Sequence, residues 1–347
     1  MENDNMIFKY LKPFDNDQIH KLQGKELQDF LNYLNDFYLV LRDNLGLDKS
    51  VTFGLELEYE NILYNDDVNA LNEIRKKLEK TSWITTYDSS LNLGIEINSP
   101  ILHDKKESWL YLNNLISFLK PLVSVGDKSG GHIHVGTQAL GDNREDWLYF
   151  LKLWSIYENI IYRFTNGDFL NSRKSMKQYA MPMMRKFYET YNILKDSELT
   201  AIINYLKQLS RYQAVNFVNV NKEHPNDILY KNTIEFRSPN SSLNSVVWQN
   251  NVNLFTKMLL HCKNNHQEDI VNNRFVINNY KYSDVYLYDE IYLDQVLEFC
   301  DIIFDNNIDK IYFLRQYFKS FEVDDVHNHY GIKKENFQKK KEIKFSL

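Results

Sequence analysis

The sequence predicts an α+β protein: one curved, mostly antiparallel sheet with helices on one face and an acidic, concave second face. Two observations predict it. Four separated stretches alternate strictly between apolar and polar residues, as strands with two unlike faces do. Around them run longer segments whose apolar residues recur at helical spacing. The same patterns divide the chain into residues 1–264, with the informative motifs between 51 and 260, and a helical extension with a basic tail over 265–347.

Residues 1–20 are a mixed polar lead. Leu27, Phe30, Leu31, Leu34, Phe37, Tyr38 and Leu41 follow helical spacing, which predicts a helix over 22–46 stopped by Gly46. The first strand follows. Phe53, Leu55, Leu57 and Tyr59 point one way, and Gly54, Glu56, Glu58 and Glu60 the other. Asp66 and Asp67 precede a helix carrying Val68, Leu71, Ile74 and Leu78, with lysines near its end as the helix dipole favours. Residues 83–88 read as a strand, 88–90 as a turn, and 94–98 as the antiparallel return, ended by Pro100. A helix over 106–123 buries Trp109, Leu112, Leu115, Ile116 and Leu119, with Pro121 shortening it.

In the next strand His132 and His134 share one face, and Ile133 and Val135 the other. A long amphipathic helix spans 143–164, and an irregular, basic stretch follows over 165–190. That stretch fits either a loop meeting phosphate or carboxylate, or a solvated surface loop. Residues 197–209 read as a helix, 212–220 as a strand, and 233–239 as a strand with Glu235 and Arg237 opposite Ile234 and Phe236. Helices are predicted over 244–264, 287–304 and 307–321, and a frayed lysine-rich tail beyond 330. His327 and His329 in that tail read as a surface pair.

If the four strands share a sheet, Glu56, Glu58, Glu96 and Glu235 crowd one surface. Unpaired carboxylates at close range repel, and one or more protonates unless cations intervene. Hard oxygen donors with one imidazole suit Mg²⁺ or Mn²⁺, and such a site suits ATP, whose phosphates complete the coordination. The plainer readings are a solvated acidic strand, two edge-strand histidines, and a structural Glu–Arg pair.

FGLELEYE, YDSSLNLGIEINSP, SGGHIHVG and NTIEFRSPNSSLN occur in this order. In these motifs the chain resembles the putative amidoligase family, carboxylate–amine ligases with the catalytic fold of glutamine synthetase and γ-glutamylcysteine ligase. The resemblance implies a glutamine synthetase-like domain using ATP and Mg²⁺ (or Mn²⁺) to join a carboxylate and an amine through an acyl phosphate. It makes Glu56 a ligand of the nucleotide-side metal and Glu58 of the substrate-side metal. Glu96, His132 and Glu235 become further metal ligands. His134 then approaches the nucleotide, and Arg237 pairs with the transferred phosphate or the substrate carboxylate. Arg211 and Asn216 match an arginine before, and an asparagine within, another strand of the family; this makes Arg211 catalytic and Asn216 nucleotide-binding. Asp88 could assist across its turn or simply cap it. Other readings remain: a guanidino kinase, a non-catalytic binding protein, or a metal-dependent hydrolase.

Composition limits the partners. Lys and Arg total 41 against 47 Asp and Glu, a formal charge of −6, which does not suit a general nucleic-acid binder. No apolar run approaches the roughly 20 residues that span a bilayer. The polar, acidic first residues are unlike a signal peptide. Cys262 and Cys300 lie in apolar surroundings and read as reduced core residues of a cytoplasmic protein. The expected partners are small-molecule or peptide carboxylates and amines, with no nucleic acid and no membrane. Related folds assemble into rings or dimers, so a homo-oligomer is compatible with the resemblance.

Overall fold

A computed structural model of the chain describes residues 39–62, 68–169, 172–221, 231–265, 269–277 and 292–318. The elements in order are β1 (Phe53–Tyr59), α1 (Val68–Leu78), β2 (Ile84–Thr86), β3 (Ile95–Asn98), α2 (Lys106–Leu119), β4 (Gly131–Gly136) and α3 (Arg144–Thr165). They continue with α4 (Met176–Tyr179), α5 (Met184–Leu194), α6 (Leu199–Lys207), β5 (Val215–Asn216), β6 (Thr233–Phe236) and α7 (Ser245–Asn265). The last described helices are α8 (Asp269–Ile277), α9 (Leu293–Ile303) and α10 (Asn307–Tyr317). Among the described residues no helix is long and apolar enough to cross a membrane.

The strands form one open sheet in the order β2-β3-β1-β4-β6-β5, every neighbour antiparallel. The period of two sorts its faces. Phe53, Leu55, Leu57, Ile95, Ile97, Ile133, Val135, Ile234 and Phe236 are buried beneath a helical layer. Phe53 stacks on Trp109 of α2, with ring centroids 5.1 Å apart. Phe236 packs against Trp154 of α3 and Phe255 of α7, with ring centroids at 6.0 and 4.1 Å. α8 to α10 pack into the same core, with Phe275 on Tyr191, Phe299 on Tyr157 and Phe313 on Phe164.

Several elements differ from the sequence prediction, each for a tertiary reason. The helix expected over 22–46 lies outside the described residues up to 38, and residues 39–46 are not helical. Their main chain bonds to distant side chains instead. Val40 exchanges hydrogen bonds with the Tyr312 hydroxyl and Arg42 with the Gln249 amide, and the Asp104 carboxylate accepts from Leu45 and Leu47. The irregular stretch contains α4 and the start of the three-turn α5. Buried Glu158 of α3 accepts the main-chain N–H groups of Met183 and Met184, so a residue on another helix caps α5. The strand expected over 212–220 reduces to Val215–Asn216. Around it Met181 and Ala214 pair through their main chains, and Val218 folds back onto the Asn216 side chain. The terminal histidines and lysines lie outside the described residues.

Candidate functional site

Register brings the polar residues into three rows across the second face. Glu96 stands opposite Glu58. Asn98 stands opposite Glu56, and Glu56 opposite His132. Gly54 stands opposite His134, His134 opposite Glu235, and Glu235 opposite Asn216. Alternation and antiparallel pairing are enough to gather these side chains, because a one-residue slip would turn each strand's set into the core.

Glu56 is the centre. One carboxylate oxygen meets Nδ1 of His132 at 2.7 Å and the other Nε2 of His134 at 2.8 Å. Burial alone would raise this carboxyl, but the two imidazoles outweigh it and hold it well below the usual carboxylate range. His132 touches Glu58 at 3.2 Å through its other nitrogen and lies 3.6 Å from Glu235. Burial and Arg237 push His132 down, yet Glu58 and Glu56 outweigh them and raise it above the usual imidazole value. Thr233 holds Nδ1 of His134 at 3.1 Å, which turns Nε2 toward Glu56.

Glu235 accepts from Asn216 at 2.7 Å and pairs with Arg237. Against the effect of burial, His134, His132 and Arg237 lower its carboxyl. Glu96 goes the other way. Burial raises it, with the Glu56 and Glu58 charges adding to that, against the hydrogen bond from Asn98 and the pull of His132. Glu60, although it continues the same alternation, is buried under a loop and accepts from Asn92, Lys128 and Ser129.

Among the described residues two groups of side chains could hold a metal ion, each with ligand atoms within 4.8 Å of one another: Glu56–His134–Glu235 and Glu58–Asp88–Glu96. Five carboxylates with one imidazole are a hard donor set that fits Mg²⁺ or Mn²⁺. His132 sits between the groups. Asp88 also accepts the Ser90 N–H at 2.7 Å, so it caps its turn while facing Glu58 and Glu96. A cavity of about 1380 Å³ opens beside Glu56, Glu96 and His134. Ile84, Ile101, Leu199 and Ile203 line it, as do Lys207 and Lys231. Lys231 Nζ lies 3.7 Å from Glu56.

Arg211 stands apart: its guanidinium lies exposed against the ring and hydroxyl of Tyr212. The residue that sequence reasoning left unassigned is Arg173. It is buried and reaches the main chain just beyond β6. Nothing in the local sequence separates it from exposed Lys174 beside it; only burial does.

A family model described as "Putative amidoligase enzyme" matches residues 13–259, which includes every one of these residues. No curated protein matches the chain.

Proposed function

The chain belongs to the putative amidoligase family, and from that premise we propose that it is an ATP- and Mg²⁺-dependent carboxylate–amine ligase. It would form an amide or peptide-type bond through an acyl phosphate. The observation that carries this reading is the pair of hard-donor groups side by side on one sheet face. Glu56, His134 and Glu235 would hold one cation, Glu58, Asp88 and Glu96 a second, with His132 between them. Bound there, divalent cations would neutralise charge between the nucleotide and the carboxylate substrate.

The large cavity supports a nucleotide on the Glu56–His134 side, with Lys207 and Lys231 for its phosphates and isoleucines for its base. The substrate carboxylate oxygen attacks the γ-phosphorus and ADP leaves. The amine then attacks the acyl carbon, phosphate departs, and the amine loses its proton. Arg237, paired with Glu235 and 3.4 Å from His132, would donate to the phosphoryl group in transfer. No side-chain nucleophile is required. The test is ADP release with ATP and Mg²⁺ over amino acids, polyamines and peptides, with products identified by mass. An amide formed with ADP supports the ligase. A stable phosphorylated product without amine would replace it with a kinase, and product formation without ATP with a hydrolase.

A further inference from the structure

We propose that Arg173 is a positioning residue that holds Arg237 and Glu58 in register with each other. Its guanidinium donates to three consecutive carbonyls: Arg237 at 2.9 Å, Ser238 at 3.3 Å, and Pro239. It also reaches Asn240 Oδ1 at 3.4 Å, and its Nε donates to Ser175 Oγ at 3.1 Å. The contact is reciprocal. Six residues later the Tyr179 carbonyl accepts from Nε of Arg237 at 3.1 Å. Residues 173–179 thus grip Arg237 by its main chain and by its side chain.

The other end of the grip is Glu58. The Arg173 nitrogen that donates to Arg237 also faces Glu58 across Gly130, whose N–H donates to Glu58 at 2.5 Å. A Cβ at residue 130 would stand 2.9 Å from both that nitrogen and the Glu58 oxygen. Only glycine leaves the space between them clear. Arg173 is buried and its guanidinium is lowered to about 10 by burial, against the attraction of Glu58. A planar fork matches a row of carbonyls where an ammonium cannot. Glu58 belongs to one ligand group, and Arg237 stands by the other, so one buried cation spans both.

The test uses Arg173→Lys, which keeps charge and loses the fork, and Gly130→Ala, which intrudes from the Glu58 side. One arm needs no ligand: the Arg237 Nε–H resonance in arginine-labelled protein. Both variants should broaden or shift it while unfolding cooperatively. The second arm rests on the ligase reading. Arg173→Lys should weaken MgATP binding by roughly tenfold, as loss of a supporting partner does, and by less than about twofold in an Arg237→Lys background, because the two act through one group. An unchanged Arg237 resonance in a folded variant, or costs that simply add, would overturn the proposal. If Arg173→Lys does not fold, Gly130→Ala decides. If the wild type binds no MgATP, the ligase reading falls and the resonance alone decides Arg173.

Discussion

Two buried acidic clusters show how one chain uses the same chemistry for opposite ends. In the helical layer Asp309 is a single carboxylate met on every side. Arg42 at 2.5 Å and Lys257 supply charge, and Asn253 at 2.7 Å and Asn306 at 2.5 Å supply amides. Burial would raise this carboxyl, but Lys257 and Arg42 outweigh it and lower it. On the sheet, Glu56, Glu58, Asp88, Glu96 and Glu235 face Arg237, Arg173 and the two histidines. The balance there remains negative, and Glu96 is raised rather than lowered. A cluster that closes its own charge calls for no further ion and is costly to break; one that leaves charge over is suited to bind something.

Removing Asp309 should therefore be the larger blow to stability. Asp309→Ala leaves Arg42 and Lys257 without their carboxylate and should cost about 3 kcal/mol in urea unfolding, the scale for breaking a buried pair. Activity per folded molecule should stay unchanged; lost activity in the folded fraction would erase the contrast. Arg237→Lys should do the reverse. It keeps charge but loses the planar donor, and ADP release should fall roughly ten- to a thousandfold with the melting temperature nearly unchanged. A lysine variant with wild-type turnover, or one that fails to fold, would move Arg237 to the structural side.

Acid titration sharpens the contrast, because the two regions respond with opposite sign. Glu96 is raised above its ordinary value of 4.5. A raised acid stabilises the fold below that value and loses its contribution as pH climbs through the raised one. In chelator, Glu96→Gln should flatten the decline of melting temperature above pH 4.5; an unchanged profile would remove Glu96 from the cluster's imbalance. His261 of α7 is pushed down from 6.5 to about 4 by burial, against the pull of Asp305. Its contribution is present above 6.5 and lost as pH falls toward 4, so His261→Gln should flatten the acid side of the profile. That effect should be the smallest of the four, and an unaltered acid limb would refute it.

The sheet was legible because its information is local. Alternation within seven residues sets which side of β1 carries Glu56 and Glu58, and the same period places Glu96, His132 and Glu235 on that side. What escaped is long-range. α5 takes its cap from Glu158, 25 residues earlier on another helix, so no start signal stands before it. Residues 39–46 have an apolar pattern that suits a helix, yet Gln249 and Tyr312 bind their main chain from more than 200 residues away. Arg173 sits among basic neighbours and is set apart only by the carbonyls it meets. The resemblance makes Arg211 catalytic by its place before β5; in the structure its guanidinium lies against Tyr212.

The strand order also imposes a timetable. β1 leaves the ribosome with its apolar face complete, but the histidine that Glu56 binds follows 76 residues later, and Arg237 comes 105 residues after that histidine. At roughly 5–20 residues per second, β1 waits about four to fifteen seconds for β4. An apolar strand without partners is a template for association between nascent chains. Charges within such a strand act as gatekeepers against it. Glu56 and Glu58 thus place charge on the face of β1 that stays open in that interval, before any site exists.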